Sequence, residues 1–265
     1  MFSREQLVGA LERDELFLAY QPQVLPDGMT IAGVEALVRW QHPLRGALGP
    51  TDFLGAVEAH GLSDDLGTWV LKHACREALR WPSLTLSVNV SPTQFQKGRF
   101  VERLVECVRE IGFPLTRLEL EIVETAFFAD PASAEAQLRH LRSFGIGLAL
   151  DDFGIGYSSL SYLRRMPFTK LKIDKSFIDD VRMMHSAAIV HAVIALGRAL
   201  GLKVTAEGVE TAEQQKFLRI AGCHYLQGYL FSKPVLPAEI DAILTAMSPS
   251  LGTAEPYPAS ANLSG

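Results

Sequence analysis

The sequence predicts an α/β fold: a (β/α)8 barrel whose first strand runs antiparallel to the others. Three observations predict it. Short runs rich in Val, Ile, Leu and Phe recur along the chain with amphipathic helical stretches between them. Repeated strand–helix units mean a parallel sheet, and about 250 residues is the usual size of one closed into a barrel; this chain has 265. Polar side chains (Glu35, Asn89, Glu121, Asp151, Lys172, Glu207 and Gln227) each stand where an apolar run stops. At the C-terminal end of a barrel strand such a side chain points into the open mouth.

The expected strands are Leu16–Val24, Thr30–Val38, Leu84–Val90, Arg117–Val123, Gly147–Leu150, Lys170–Ile173, Lys203–Ala206 and His224–Leu226. Pro26-Asp27-Gly28 is a hairpin turn signal, which makes the first pair antiparallel. After an amphipathic helix at the N-terminus, the expected helices are Thr51–His60, Asp64–Arg80, Phe100–Ile111, Ala132–Phe144, Tyr157–Arg165, His185–Leu200, Ala212–Ala221 and Pro237–Met247. Ser91-Pro92-Thr93-Gln94 and Thr211-Ala212-Glu213-Gln214 have capping-box spacing, and Asp130-Pro131 sets a cap before a first-turn proline. The barrel is expected over residues 1–247. Residues 248–265 turn to Pro, Ser, Gly and Ala and read as a disordered tail.

Composition excludes several functions. A net charge of −5 argues against binding a polynucleotide through its backbone. Cys75, Cys107 and Cys223 have no metal-ligand spacing and read as reduced thiols. The N-terminus lacks a signal peptide, and His191 and Arg198 interrupt the most apolar helix, so no membrane span is expected. The cytoplasm is the expected compartment. About a dozen residues precede the first strand, so no sensor or cyclase domain is expected within the chain.

Taken singly, each polar residue has a bland explanation. Glu35 could pair with Arg39, Asn89 could cap a helix, and Lys172 alternates with Lys170 and Asp174 as on a solvated edge strand. Glu119 and Glu121 share a strand face, where an ion pair is the plain reading. Asp151-Asp152 is harder to dismiss: two adjacent carboxylates end the run Leu148-Ala149-Leu150 and repel unless cations bind. Hard divalent ions take oxygen ligands, and a pair of them about 3.5–4 Å apart needs a shared carboxylate. Asp151 suits the shared position, with Glu35, Asn89 and Glu121 on one ion and Asp152 and Glu207 on the other. Only His224 lies at a strand end, so two Mg²⁺ or Mn²⁺ are favoured over zinc. Lys172 would hold a bridging hydroxide or offset charge on an attacked phosphate, and Arg39 suits bidentate phosphate binding.

These residues lie in blocks that resemble the EAL-domain family: GVEALVRWQHP, LSVNVSPTQF, LELEIVE, LALDDFGIGYSSLSYLRRMPFTKLKIDKSFI, VTAEGVET and LQGYLFSKP. The resemblance runs over about residues 5–245. It implies a barrel that hydrolyses the bacterial second messenger cyclic di-GMP to linear pGpG with two Mg²⁺ or Mn²⁺ ions, by in-line attack of a metal-bridging hydroxide. It implies metal ligation by Glu35, Asn89, Glu121, Asp151, Asp152 and Glu207. Lys172 is implied as catalytic, Glu207 also as a candidate base, and Glu210 as a supporting or phosphate-side group. Gln21, Leu37, Arg39, Asp174, Gln227, Tyr229 and Pro234 match ligand-contacting positions. Glu124 matches a glutamate that holds the loop after Asp152, and a homodimer is implied through barrel helices near loop 152–159. Val123 and Ile155 stand where the family commonly has threonine (or, at the second, alanine). Because some family members bind cyclic di-GMP without cleaving it, the alternative is a catalytically weak or inactive receptor.

Overall fold

In the computed structural model, residues 2–96, 98–127, 129–154 and 160–247 are described, the side chains of 160–162 and 247 excepted. The expected tail, the start of the helix expected from Tyr157 and most of loop 152–159 lie outside them. Nine strands form among the described residues: β1 Leu16–Val24, β2 Ile31–His42, β3 Gly46–Leu48, β4 Thr85–Val90, β5 Leu118–Val123, β6 Gly147–Phe153, β7 Lys170–Ile173, β8 Lys203–Ala206 and β9 Tyr225–Leu226. Eight close into a ring in the order β1-β9-β8-β7-β6-β5-β4-β2, sealed by pairing of β1 with β2. β1 is antiparallel to both neighbours and the other ring strands run parallel, as the hairpin signal predicts. The Asp27 carboxylate closes that hairpin by accepting from the backbone of Met29 and Thr30 at 2.8 and 2.9 Å, with Gly28 at φ +75°.

Two features differ from expectation. β2 runs four residues past Val38, because Trp40 and His42 continue into an aromatic cluster with Phe2, and the extension pairs with the ninth strand, β3. Short helices Pro92–Phe95 and Lys175–Asp179 also form. The Ser91 hydroxyl caps the first as expected, but Gln94 does not complete the box; its amide lies against Gly67. The capping box at Thr211 and the cap at Asp130 both form. All three cysteines are buried and free. No helix among the described residues is long and apolar enough to cross a membrane.

Alternation along the strands divides each into two faces. Val34 and Ala36, Leu86 and Val88, Leu118, Leu120 and Ile122, Leu171 and Ile173 face outward and are buried, packed under helices such as Ser63–Ala78 and Phe100–Ile111. The inward faces carry polar residues at two levels. The upper level holds Glu35, Glu121, Asp151, Lys172, Glu207 and Gln227. Two residues below on each parallel strand sit Ser87, Glu119 and Lys170, joined by Gln23 of β1. Lys170 Nζ meets Glu119 Oε1 at 2.6 Å, both residues being buried. Lys170 is therefore not part of a solvated edge: ring closure places it in the interior.

A buried ion pair is costly to break and cheap to replace whole. Lys170→Met is expected to destabilise the fold by about 3–5 kcal/mol by stranding Glu119. The double substitution E119L/K170M should regain most of that loss, measured by chemical denaturation. Equal losses in the single and double variants would show that the pair itself holds the barrel.

Candidate active site

The mouth is organised around Lys172. Its side chain is 1% exposed, and its ammonium is ringed by Glu121, Glu207 at 2.6 Å, Asp151 at 3.1 Å and Glu35 at 3.7 Å. Burial pulls the Lys172 ammonium down, but Glu121 and the three other carboxylates overcome this and raise it well above its usual range. Glu35 also accepts from Gln227 Nε2 and Asn89 Nδ2, each at 2.6 Å. Pairing of β4 with β5 sets Asn89 beside Glu121, and pairing of β2 with β4 sets Glu35 beside Ser87. Short polar contacts across the ring are thus a product of strand register. Asn89 donates through its amide nitrogen, so its carbonyl oxygen is not used in this contact.

Asp152 solves a geometric problem. Consecutive strand residues point to opposite faces, so Asp151 and Asp152 cannot both face the mouth from a regular strand. The β6–β7 register shifts between Leu150 and Phe153, and Asp152 adopts φ +52°. One oxygen each from Asp151, Asp152 and Glu207 then lie within 4.8 Å of one another.

Crowding moves the acids' protonation. Burial first, then Asp151 and Glu35, push Glu207 up from 4.5 to about 8 against the pull of Lys172. Burial and the neighbouring Glu35 raise Glu121 well above the carboxylate range. Burial would raise Glu35 too, but Lys172 and the amides of Gln227 and Asn89 hold it below its usual value. Asp152 is raised by burial and by Asp151. Oxygen donors without histidine or thiolate, and an excess of carboxylates over one ammonium, fit hard divalent metals.

Other candidate residues lie around this centre. Gln21 accepts from Gln227 Nε2 at 3.1 Å and donates to the Ser232 carbonyl at 3.1 Å. Arg39, half-buried, donates to the Val38 carbonyl at 2.8 Å. Leu37 lines an apolar cavity with Leu54, Leu66 and Asn89. Asp174 caps the helix Lys175–Asp179 through the Ser176 amide at 2.8 Å. Glu210 is ion-paired with Lys175, a residue the sequence reading did not single out. Tyr229 is exposed, with Lys233 Nζ 5.5 Å from its ring centre, and Pro234 is half-buried. Glu124 opens the 3-10 turn Glu124–Phe127 at the end of β5. Sequence reasoning also missed Gln23, Ser87 and the interior role of Lys170; the signal available was their place two positions from a mouth residue.

The geometry defines a closed α/β barrel with one reversed strand and an acid-rich mouth suited to divalent metal. The EAL domain profile matches residues 4–234, and the chain belongs to that family. It is 43% identical over 236 residues to the bifunctional diguanylate cyclase/cyclic di-GMP phosphodiesterase MucR of Pseudomonas aeruginosa, covering 87% of this chain and 34% of that protein. To the cyclic di-GMP phosphodiesterase NbdA of the same organism it is 42% identical over 249 residues, covering 91% and 32%. The chain thus spans about a third of the length of these curated relatives. The structure of the PaMucR phosphodiesterase in complex with c-di-GMP matches with a TM-score of 0.86 at 41% identity, covering 89% of this chain and 98% of that one. An EAL domain protein from Listeria monocytogenes EGD-e matches at 0.82 with 31% identity, covering 92% and 98%.

The raised acids make a stability prediction. Between about 4.5 and about 8 the folded, metal-free protein binds more protons at Glu207 than the unfolded chain does. Stability contributed at this position is therefore lost as pH rises through that window. In chelator, the wild-type melting temperature is expected to fall from pH 6 to pH 8.5 more steeply than that of Glu207→Gln. Parallel pH profiles for the two proteins would refute the assignment.

Proposed function

We propose that this chain hydrolyses cyclic di-GMP to linear pGpG with two Mg²⁺ or Mn²⁺ ions. One observation carries the reading: six oxygen donors and a buried lysine converge at one barrel mouth with no member missing. Asp151, Asp152 and Glu207 would hold one ion; Glu35, Asn89 and Glu121 would hold the other, with Asp151 shared. When bound, such ions polarise a phosphoryl oxygen and lower the pKa of an attacking water.

The residues do the rest. Glu207, beside Asp151 and Asp152 in the acid cluster, is the carboxylate placed to accept the water's proton. Lys172, kept charged by its neighbours, is unsuited to that task and instead stabilises negative charge developing on the phosphoryl oxygens. Water oxygen bonds to phosphorus as the bond to the 3′ oxygen breaks, and that oxygen leaves with a proton. Arg39 clamps a phosphate, with Gln21, Leu37, Asp174, Gln227, Tyr229 and Pro234 around the nucleotide. Glu124 and Glu210 support the loops that carry Asp152 and Glu207. The names of MucR and NbdA, and the c-di-GMP in the PaMucR structure, support this substrate.

Incubation with cyclic di-GMP and Mg²⁺ or Mn²⁺ is expected to yield pGpG, and excess EDTA to abolish it. Ca²⁺ should bind without supporting turnover, because its larger, looser shell holds the water poorly. Tight nucleotide binding with no pGpG under either ion would identify a receptor instead, and undiminished hydrolysis in chelator would sink the metal reading.

Lys172→Ala is expected to lower kcat by ~10²-fold or more at saturating metal while changing cyclic di-GMP affinity far less. Affinity is measured with Ca²⁺ in place of the active ion. Loss of binding with kcat retained would reverse the role assigned to Lys172.

A further inference from the structure

Directly beneath the mouth, Gln23 is 2% exposed and bonded on both sides of its amide. The Lys170 ammonium offers only donors, so the Gln23 carbonyl oxygen faces it, at 3.2 Å. The amide nitrogen is thereby turned the other way, where it donates to Glu121 Oε1 and to Ser87 Oγ, each at 3.4 Å. Ser87 directs its single proton to Glu119 Oε1 at 2.9 Å, leaving a lone pair for Gln23. Lys170 is itself fixed by Glu119 and lies 4.7 Å from the centre of the Tyr225 ring. Each donor of Gln23, Ser87 and Lys170 named here has a partner, whereas the buried Thr205 hydroxyl on β8 has none. Reversing the Gln23 amide would set nitrogen against ammonium and oxygen against carboxylate, so the network admits one orientation.

We propose that Gln23, oriented by the Lys170–Glu119 pair, is a positioning residue that sets the carboxylate plane of Glu121 for metal binding. It engages one oxygen of Glu121 from below, while the other, Oε2, is turned to Lys172 and the mouth. A carboxylate held at one oxygen presents the second at a defined angle; released, it rotates about its last torsion and ligates poorly. Partners of this kind behind a metal ligand are worth about 10–100-fold in metal affinity or activity. The inference rests on the reading of Glu121 as a metal ligand. It adds that β1, the reversed strand, supplies no acid to the mouth but orients one donated by β5.

The test is Mn²⁺ titration by calorimetry on wild type, Gln23→Met and Gln23→Glu, with melting temperatures in parallel. Gln23→Glu is isosteric and keeps an acceptor for Lys170, yet it sets an oxygen against Glu121 in place of the donor; the melting temperatures show which variants fold. Either folded variant is expected to bind Mn²⁺ about 10–100-fold more weakly than wild type. A purely structural role would lower the melting temperature and leave the affinity of the folded protein unchanged, and that result overturns the proposal. Failure of both variants to fold also overturns it, since Gln23 would then determine the fold and not the metal geometry. Wild-type protein that binds no Mn²⁺ removes the metal reading itself, an outcome distinct from equal binding by wild type and variant.

Discussion

The Lys172 ammonium, enclosed by four carboxylates at the centre of the barrel mouth, is the constraint on which the rest depends. An ion pair buried this deeply gains little net stability once desolvation is counted. One cation against four acids is worse, because the acids also repel one another. The interior tolerates it in two ways: amides from Asn89 and Gln227 bond to Glu35, and Glu121 and Glu207 hold protons above the usual carboxylate range. Both are partial remedies, and they leave a mouth whose electrostatics favour added positive charge. Divalent cations, as proposed above, would displace those protons and satisfy the oxygens together.

The barrel sustains this because its two faces are chemically separate. Outward residues of each strand are aliphatic and pack under helices, so the hydrophobic stabilisation of the domain sits outside the ring. Inside, where many barrels stack branched aliphatics, this one stacks an ionic layer over a second ionic layer. In the lower layer the charges balance: Lys170 pairs with Glu119, bridged by Gln23 and Ser87. The upper layer does not close. That contrast separates structural polarity from functional polarity in one molecule.

How far each layer was legible in the sequence follows from the same geometry. Glu35, Asn89, Glu121 and Glu207 end apolar runs, and a polar residue at that place has few structural excuses, so the upper layer can be read locally. Lys170 and Glu119 show the same alternation as residues on an exposed edge strand. What buries them is closure of β1 onto β2 and β9, a pairing between distant segments that no window of sequence contains. The extension of β2 to His42 was hidden for a like reason: Phe2, forty residues away, packs on Trp40 and His42. Resemblance to the EAL family supplied the nucleotide-side residues, which leave almost no mark on local pattern. Asp174 illustrates this, since in the structure it is engaged as a helix cap.

Adjacent acids at positions 151 and 152 bring pattern and chemistry into conflict, and the structure settles it in favour of the site. A regular strand would send Asp152 outward among the aliphatic residues that face the helices, where a carboxylate has no partner. Instead the strand breaks register after Leu150, and Asp152 takes a left-handed conformation that costs a non-glycine residue about 1 kcal/mol or more. Gly154, at φ +102°, continues the turn where any Cβ would meet the Phe177 ring at 2.9 Å. The backbone distortion brings a second acid to Asp151 and Glu207, raising repulsion as well as strain. Neither cost has a return within the protein alone. A cation held among the three oxygens, as proposed above, would offset both costs, which is the physical case for reading the distortion as part of a metal site.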